Sequence, residues 1–169
     1  MEDADEILDL VDIDDKVVGT IARSRVRTLF GKQKGFVRYA ECFIRNKDGQ
    51  LWIPRRTTTK TIAPGGLDFS ASEHIQAGES YIDATIRGLK EELLLTIHPE
   101  ELKDIGKLQP KTDRPFFCQI FLLERDEAPD YNRDDFTDYE WLKPDQLINR
   151  LQAGELAKLD LLDAAQLVR

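Results

Sequence analysis

"AGESYIDATIRGLKEELLL", residues 77–95, is the stretch on which the fold turns. Ile82, Ile86, Leu89 and Leu93 recur at spacings of four, three and four, the period of an amphipathic helix with one apolar stripe for a core. At roughly 100° per residue, Gly88, Glu91, Glu92 and Leu95 share another side of that helix. Arg87 can pair with Glu91 one turn on, or reach back to Glu79 and hold the preceding loop against the helix. The neighbouring Glu91 and Glu92 repel each other. They are tolerated when solvated, when paired with cations, or with a divalent ion between them. Carboxylate oxygen is the preferred ligand of Mg²⁺, which keeps several waters and completes its shell from substrate phosphates. Spacing alone leaves two readings open: a metal-binding helix, or the wet face of an ordinary one.

Working outward, "EILDLVDIDDKVVGT" (6–20) reads as a hairpin about an acidic turn at Asp14–Asp15, and "RSRVRTLF" (23–30) as a brief helix ending at Gly31. "FVRYAECFIRNKDGQLWIPRR" (36–56) is a clearer hairpin, with Asp48–Gly49 supplying the turn chemistry. "TTTKTIAPGGLDFSASEHIQ" (57–76) is a loop punctuated by Pro64, Gly65 and Gly66, leading into an extended piece. Beyond the helix, "DIGKLQP", "RPFFCQIFLLE" and "YEWL" read as strands, the second buried enough to be central. "KPDQLINRL" starts a helix with Pro144 in its first turn, and "ELAKLDLLDAAQLV" (155–168) is a closing amphipathic helix. Strands alternating with helices, plus hairpins, predict an α/β fold: a mixed β-sheet covered by helices on both faces.

The chain has 169 residues, a length that suits one domain with a real core. It contains no repeat, low-complexity tract or run able to span a bilayer, so no membrane is expected. The acidic start resembles neither a secretory signal nor a mitochondrial presequence. Cys42 and Cys118 lie in apolar runs and read as reduced, buried small side chains. A cytosolic protein is the expectation. The net charge of −8 argues against a general nucleic-acid partner. Residues 1–15 hold eight acids and no base, whereas residues 23–38 hold six bases and no acid. These are either two solvated segments that attract each other or a basic rim that draws in a phosphorylated ligand.

The box residues resemble the Nudix hydrolase superfamily, whose signature reads Gly, five residues, Glu, seven residues, Arg-Glu, an aliphatic, any residue, Glu-Glu, any residue, Gly, an aliphatic. Glu79, Arg87, Leu89, Glu91, Glu92 and Leu95 fall in register. Glu73 stands where the first Gly belongs, Gly88 replaces the Glu after Arg, and Leu94 replaces the last Gly. "RRTTTKTIAPGGLD" and "DDFTDYEWLKPDQL" resemble segments flanking the box in the branch that includes isopentenyl-diphosphate isomerase and its hydrolase-like relatives. The resemblance implies a single Nudix α/β/α sandwich over residues 1–169, with an N-terminal hairpin and short helix over 1–36, a core over 37–169 and the box at 73–95.

It further implies hydrolysis of a phosphoanhydride, a diphosphate linked to another group, with Mg²⁺ or Mn²⁺. Carried over by position, Glu91 and Glu92 would be metal ligands, and Arg87 and Glu79 the ion pair that orients them. Asp135 and Asp138, six and three residues before Trp141, match positions that supply a further ligand or base; the plainer reading is a solvated turn. Gly88 removes one anionic ligand, which weakens the hold on a hard cation. Restoring it by Gly88→Glu is then expected to tighten Mg²⁺ binding or raise turnover; Glu73 is a second candidate carboxylate, from the loop side. His74 falls on the metal-binding histidine of the isomerase, with a structural hydrogen bond as the alternative. Arg55, Arg56 and Lys60 either contact phosphates or form a solvated strand edge. Trp52 packs in the core or stacks on a base.

The partner is a small phosphorylated substrate, with oligomeric state open and a homodimer among the options. Two further readings stand beside hydrolysis. One is a Nudix fold with weakened catalysis kept as a binding or regulatory module. The other is an isomerase, opposed by Ser72 at the position of the catalytic thiol.

Overall fold

The computed structural model describes residues 5–32 and 34–169. A hairpin of β1 (Ile7–Val11) and β2 (Val17–Ala22) is followed by a 3-10 helix, Arg23–Leu29. Asp12 Oδ1 builds the hairpin turn by accepting the N–H groups of Asp14 and Lys16 at 2.9 and 3.0 Å. Then come β3 (Val37–Arg45), β4 (Leu51–Arg56), β5 (Ala71–His74) and α1 (Tyr81–Leu93). The chain closes through β6 (Leu102–Leu108), β7 (Phe116–Glu124), β8 (Phe136–Leu142), α2 (Pro144–Gln152) and α3 (Leu161–Val168). The main sheet runs β6-β7-β3-β4-β8, with β5 also paired to β3. β3 and β7 are parallel over nine residue pairs while the other pairings are antiparallel, which makes the sheet mixed.

Strand periodicity divides the core into two layers. Val37 and Phe43 of β3, with Cys118, Ile120 and Leu122 of β7, face Leu147 and Ile148 of α2 and Leu161, Ala164 and Ala165 of α3. The alternate residues Cys42, Ile44, Phe121 and Leu123 face Leu89 and Leu93 of α1. Because helices cover both faces, β7 is buried from Phe116 to Leu123 and apolar there but for Gln119, as suits a doubly covered central strand. The expected α/β/α sandwich is present. Trp52 lies in the α1 layer against Tyr131, Phe136 and Tyr139, fully buried, so it is a core residue.

Three elements depart from the sequence reading. The hairpin over 36–56 closes at its turn, yet β3 and β4 pair at one position, Arg45 with Leu51. Beyond it they diverge, β3 to β5 and β4 to β8. Ser70 fills the fork: its hydroxyl accepts the Ile44 N–H at 2.9 Å and donates to the Trp52 carbonyl at 2.7 Å. One side chain thereby satisfies backbone groups that the split would leave unpaired. The split also lets β5 lie against β3 beside α1, which creates the site described below.

The second departure is the rotation of α1. Its buried residues are Ala84, Thr85, Gly88, Leu89 and Leu93, whereas Ile82 is exposed. Small side chains at 84, 85 and 88 let the helix settle close to β5, and close approach outweighs the burial of one isoleucine. Gly88 therefore lies inside, and the acid pair sits at the rim of the buried face rather than on the opposite side. The helix begins at Ser80, whose hydroxyl accepts the Asp83 N–H at 3.1 Å. It ends at Leu94 in the left-handed conformation (φ 54°) that usually selects glycine, the residue the family signature has there.

The third departure is α3, which starts at Leu161 rather than at 155. Residues 156–158 are extended instead, bonded on both sides of Leu67: Leu67 N–H to Leu156 O at 2.9 Å, and Lys158 N–H to Leu67 O at 3.1 Å. That pairing turns the Lys158 side chain inward.

Candidate active site

β5 sorts its side chains by the period of two. Glu73 faces α1, while Ser72 and His74 face the other way, Ser72 toward Glu41 and His74 toward Tyr39. Arg87 clamps the junction. Its Nε and Nη2 donate to Glu79 Oε1 and Oε2 at 2.9 and 3.0 Å, a bidentate fork. Nη2 also reaches the His74 carbonyl at 2.9 Å, and Nη1 donates to Glu73 Oε2 at 3.1 Å. Glu91 Oε2 lies 3.7 Å from the same Nη1, so Glu73 and Glu91 share one guanidinium nitrogen. The reach back from Arg87 to Glu79 fastens the residue 72–80 segment to the helix. Glu79 completes the joint by accepting the Gln76 N–H at 3.0 Å.

Glu92 lies against the same strand, its Oε1 accepting the Ser72 N–H at 3.2 Å. Burial, then the charge of Glu73, pushes its carboxyl well above the usual range. Burial likewise raises Glu73, with Arg87 offsetting part of the effect and Glu91 adding to it. Three carboxylates, Glu73, Glu79 and Glu91, therefore stand around one guanidinium with Glu92 nearby against the same strand, and Glu73 and Glu92 resist ionisation. Such a group is stabilised by added positive charge. Glu91 is exposed, with 60% of its side-chain surface accessible, so the cluster has an open edge. Its hard carboxylate oxygens fit Mg²⁺ or Mn²⁺.

A second buried polar group adjoins this one through Ser72. Lys158 Nζ donates to Ser72 Oγ at 2.7 Å, and Ser72 Oγ donates to Glu41 Oε1 at 3.3 Å. Burial pulls the Lys158 pKa down, but Asp68, Glu41 and Asp160 more than reverse that, so the ammonium stays charged. Glu41 is pushed up by burial and by Asp160, and its Oε2 has no hydrogen-bond partner. Cys118 Sγ donates to Asp160 Oδ2 at 3.0 Å. Lys158, Glu41 and Asp160 line a cavity of about 780 Å³ together with Tyr39, His74, Phe116, Arg23 and Arg27. Two bases of the cationic 23–38 segment thus border a cavity that shares a wall with the carboxylate cluster. The sequence reading missed Lys158, Glu41, Asp68 and Asp160. A signal existed for Glu41, the one acid of β3, set between Ala40 and the apolar run Cys42–Ile44.

The other residues singled out in the sequence have partners of their own. His74 Nε2 and the Tyr39 hydroxyl share a hydrogen bond of 2.5 Å. Burial and the surrounding cations Arg23, Lys158 and Arg87 push it down to about 3, so the ring is neutral. It belongs to the cavity wall, because strand alternation points it away from Glu73. Asp135 is held by Lys60 at 2.5 Å, and Asp138 lies 3.8 Å from Arg55. Arg55 is further engaged by the Gly65 carbonyl and by Glu155, at 2.9 and 3.1 Å. Arg56 forms a buried ion pair with Asp68 and donates to the Ile62 carbonyl at 2.7 Å. Arg55, Arg56 and Lys60 are thus tied into the framework by carboxylates that sequence spacing could not reveal.

Lastly, a carboxylate added at position 88 does not simply extend the cluster. A Cβ on Gly88 would sit 2.4 Å from Glu73 Cγ, and 3.3 and 3.4 Å from its Oε1 and Cδ. A side chain added at 88 by Gly88→Glu would therefore have to displace Glu73, which already fills that space.

The sequence model of the NUDIX domain matches residues 35–163. A Deinococcus radiodurans protein described as a Nudix hydrolase is 39% identical over 167 residues, covering 98% of this chain and 94% of that protein. A Nostoc protein described as an uncharacterized Nudix hydrolase is 39% identical over 163 residues, with 96% and 95% covered. A crystal structure from Deinococcus radiodurans superposes with a TM-score of 0.85 at 36% identity, covering 95% of this chain and 98% of that one. Among the described residues, no helix is long and apolar enough to cross a membrane.

Proposed function

Since the chain belongs to the NUDIX domain family, we propose that it hydrolyses a phosphoanhydride, in which a diphosphate is linked to another group, at the Glu73–Glu91–Glu92 cluster with Mg²⁺ or Mn²⁺. The observation that carries the reading is the clamp: one arginine fixes Glu79 at the helix start and Glu73 on the neighbouring strand, which holds β5 against the helix that bears Glu91 and Glu92. When bound, the ion offsets the charge of phosphate oxygens and lowers the pKa of a coordinated water. The chain's own residues hold that position. Glu92 is fixed by the Ser72 N–H, Glu91 stands at the open edge, and Arg87 keeps both elements in register. The adjoining cavity with Arg23, Arg27 and Lys158 is where the anionic remainder of the substrate would lie. Ser72, at the position of the isomerase thiol, is a hydroxyl engaged by Lys158 and Glu41, which disfavours alkene protonation.

A panel of nucleoside diphosphate conjugates and other diphosphates, incubated with protein and Mg²⁺, tests the reading. Release of phosphate or a monophosphate from at least one compound is expected, and its disappearance on chelation. Ligand binding with no product from any compound would point to a module that binds without turnover.

Acidity supplies another test. Glu73 and Glu92 keep protons to higher pH than ordinary carboxyls, and a metal must displace those protons. Apparent Mg²⁺ affinity should therefore fall as pH is lowered, beginning above the ordinary carboxylate range of about 4. Calorimetric titrations from about pH 8 down to about pH 5 should show the decline; a flat profile would remove Glu73 and Glu92 from the ligand set.

A further inference from the structure

We infer that Glu73 and Gly88 are the two halves of one exchange: the carboxylate that the family signature carries on the helix at position 88 is delivered here from β5 by Glu73, and glycine at 88 is the notch that admits it. The inference rests on the proposed metal site and names a ligand and its seat within it. Three observations converge. Glu73 lies over the Gly88 backbone so closely that a Cβ there would meet Cγ at 2.4 Å, well inside contact distance. The glutamate cannot simply swing aside, because Arg87 Nη1 holds Oε2 at 3.1 Å while the same guanidinium forks onto Glu79. That hold leaves Oε1 beside the notch, 3.3 Å from the place where a side chain at 88 would begin.

The signature has a small residue on the strand and a long acid on the helix; this chain has the reverse. Volume and charge at the junction are nearly conserved by the swap, which explains why either change alone looks like damage to the pattern. Glycine in mid-helix costs about 0.5–1 kcal/mol relative to alanine, a cost with no local return unless the vacated space is used. Here Glu73 uses it.

The test is a set of Mn²⁺ titrations, read by loss of the free-ion electron paramagnetic resonance signal, with no substrate present. Glu73→Gln keeps the volume and one hydrogen-bonding oxygen but removes the charge; it should weaken Mn²⁺ binding roughly tenfold or more. Gly88→Glu alone should bind no better than the parent, since the new side chain and Glu73 compete for one space. The reciprocal double variant, Glu73→Gly with Gly88→Glu, should recover affinity to within about threefold, and thermal melting without metal should show it folded. A double variant no tighter than Glu73→Gly alone overturns the exchange, as does a Gly88→Glu protein that binds more tightly than the parent. Glu92→Gln separates this inference from the reading beneath it. If Glu92→Gln loses Mn²⁺ while Glu73→Gln does not, the exchange fails and the metal site stands. If neither loses it, both fall.

Discussion

Glu92→Gln should lower Mg²⁺-dependent turnover by about 100-fold or more while leaving the fold unchanged. The amide replaces one carboxylate oxygen by nitrogen, which repels a hard cation, so an anionic ligand is lost without loss of volume. Folding should survive because Glu92 Oε1 accepts the Ser72 N–H, a bond that the glutamine Oε1 can still make. The melting temperature should even rise slightly in the absence of metal. Glu92 is a partly buried carboxyl whose ionised form is disfavoured by burial and by Glu73, and neutralising it removes that strain. Steady-state rates on whichever diphosphate the panel identifies, with circular dichroism and thermal melts, read both effects. Turnover equal to the parent's in a folded Glu92→Gln protein would move the reaction away from α1.

The other large effect belongs to stability. Lys158→Met should destabilise the protein by about 3–5 kcal/mol, the usual result of leaving buried charge uncompensated. Lys158 stands among Asp68, Glu41 and Asp160, each almost wholly buried, and donates to Ser72. Methionine matches the aliphatic stem but offers no cation to three acids. Arg56 would remain as a partner of Asp68, so the loss falls chiefly on Glu41 and Asp160. Part of it should be recovered by adding Glu41→Gln, which takes away one of the stranded carboxyls. Urea unfolding of the single and double variants measures both numbers. A Lys158→Met protein within about 1 kcal/mol of the parent would mean that the acids simply hold protons and that the ammonium is not required.

These two residues differ in how visible they are in the sequence. Glu92 stands in an acid pair at fixed distance from Arg87 and Glu79, so spacing alone makes it a candidate. Lys158 sits in a segment with the periodicity of a helix, and on that reading its side chain is one more solvated charge. The short extended pairing at Leu67 replaces the first turn of that helix and aims the lysine at the core. Arg55, Arg56 and Lys60 were legible as cations on the approach to the box, but their partners Glu155, Asp68 and Asp135, from distant parts of the chain, were not. Charge pairing between segments leaves no periodic trace.

What the sequence determined by itself is what local period and composition encode. The strand-like apolar runs of β3 and β7, the helical period of α1 and the fixed gaps from Glu79 to Arg87 to Glu91–Glu92 specify the elements and their order, because each depends on residues within a turn or two. Tertiary structure alone decided which face of α1 turns inward, how Ser70 holds β3 and β4 apart, and that Glu73 occupies the space above Gly88. Those outcomes follow from close packing: a glycine notch and a glutamate fifteen residues earlier meet only when strand and helix are laid side by side, where two atoms cannot share one volume.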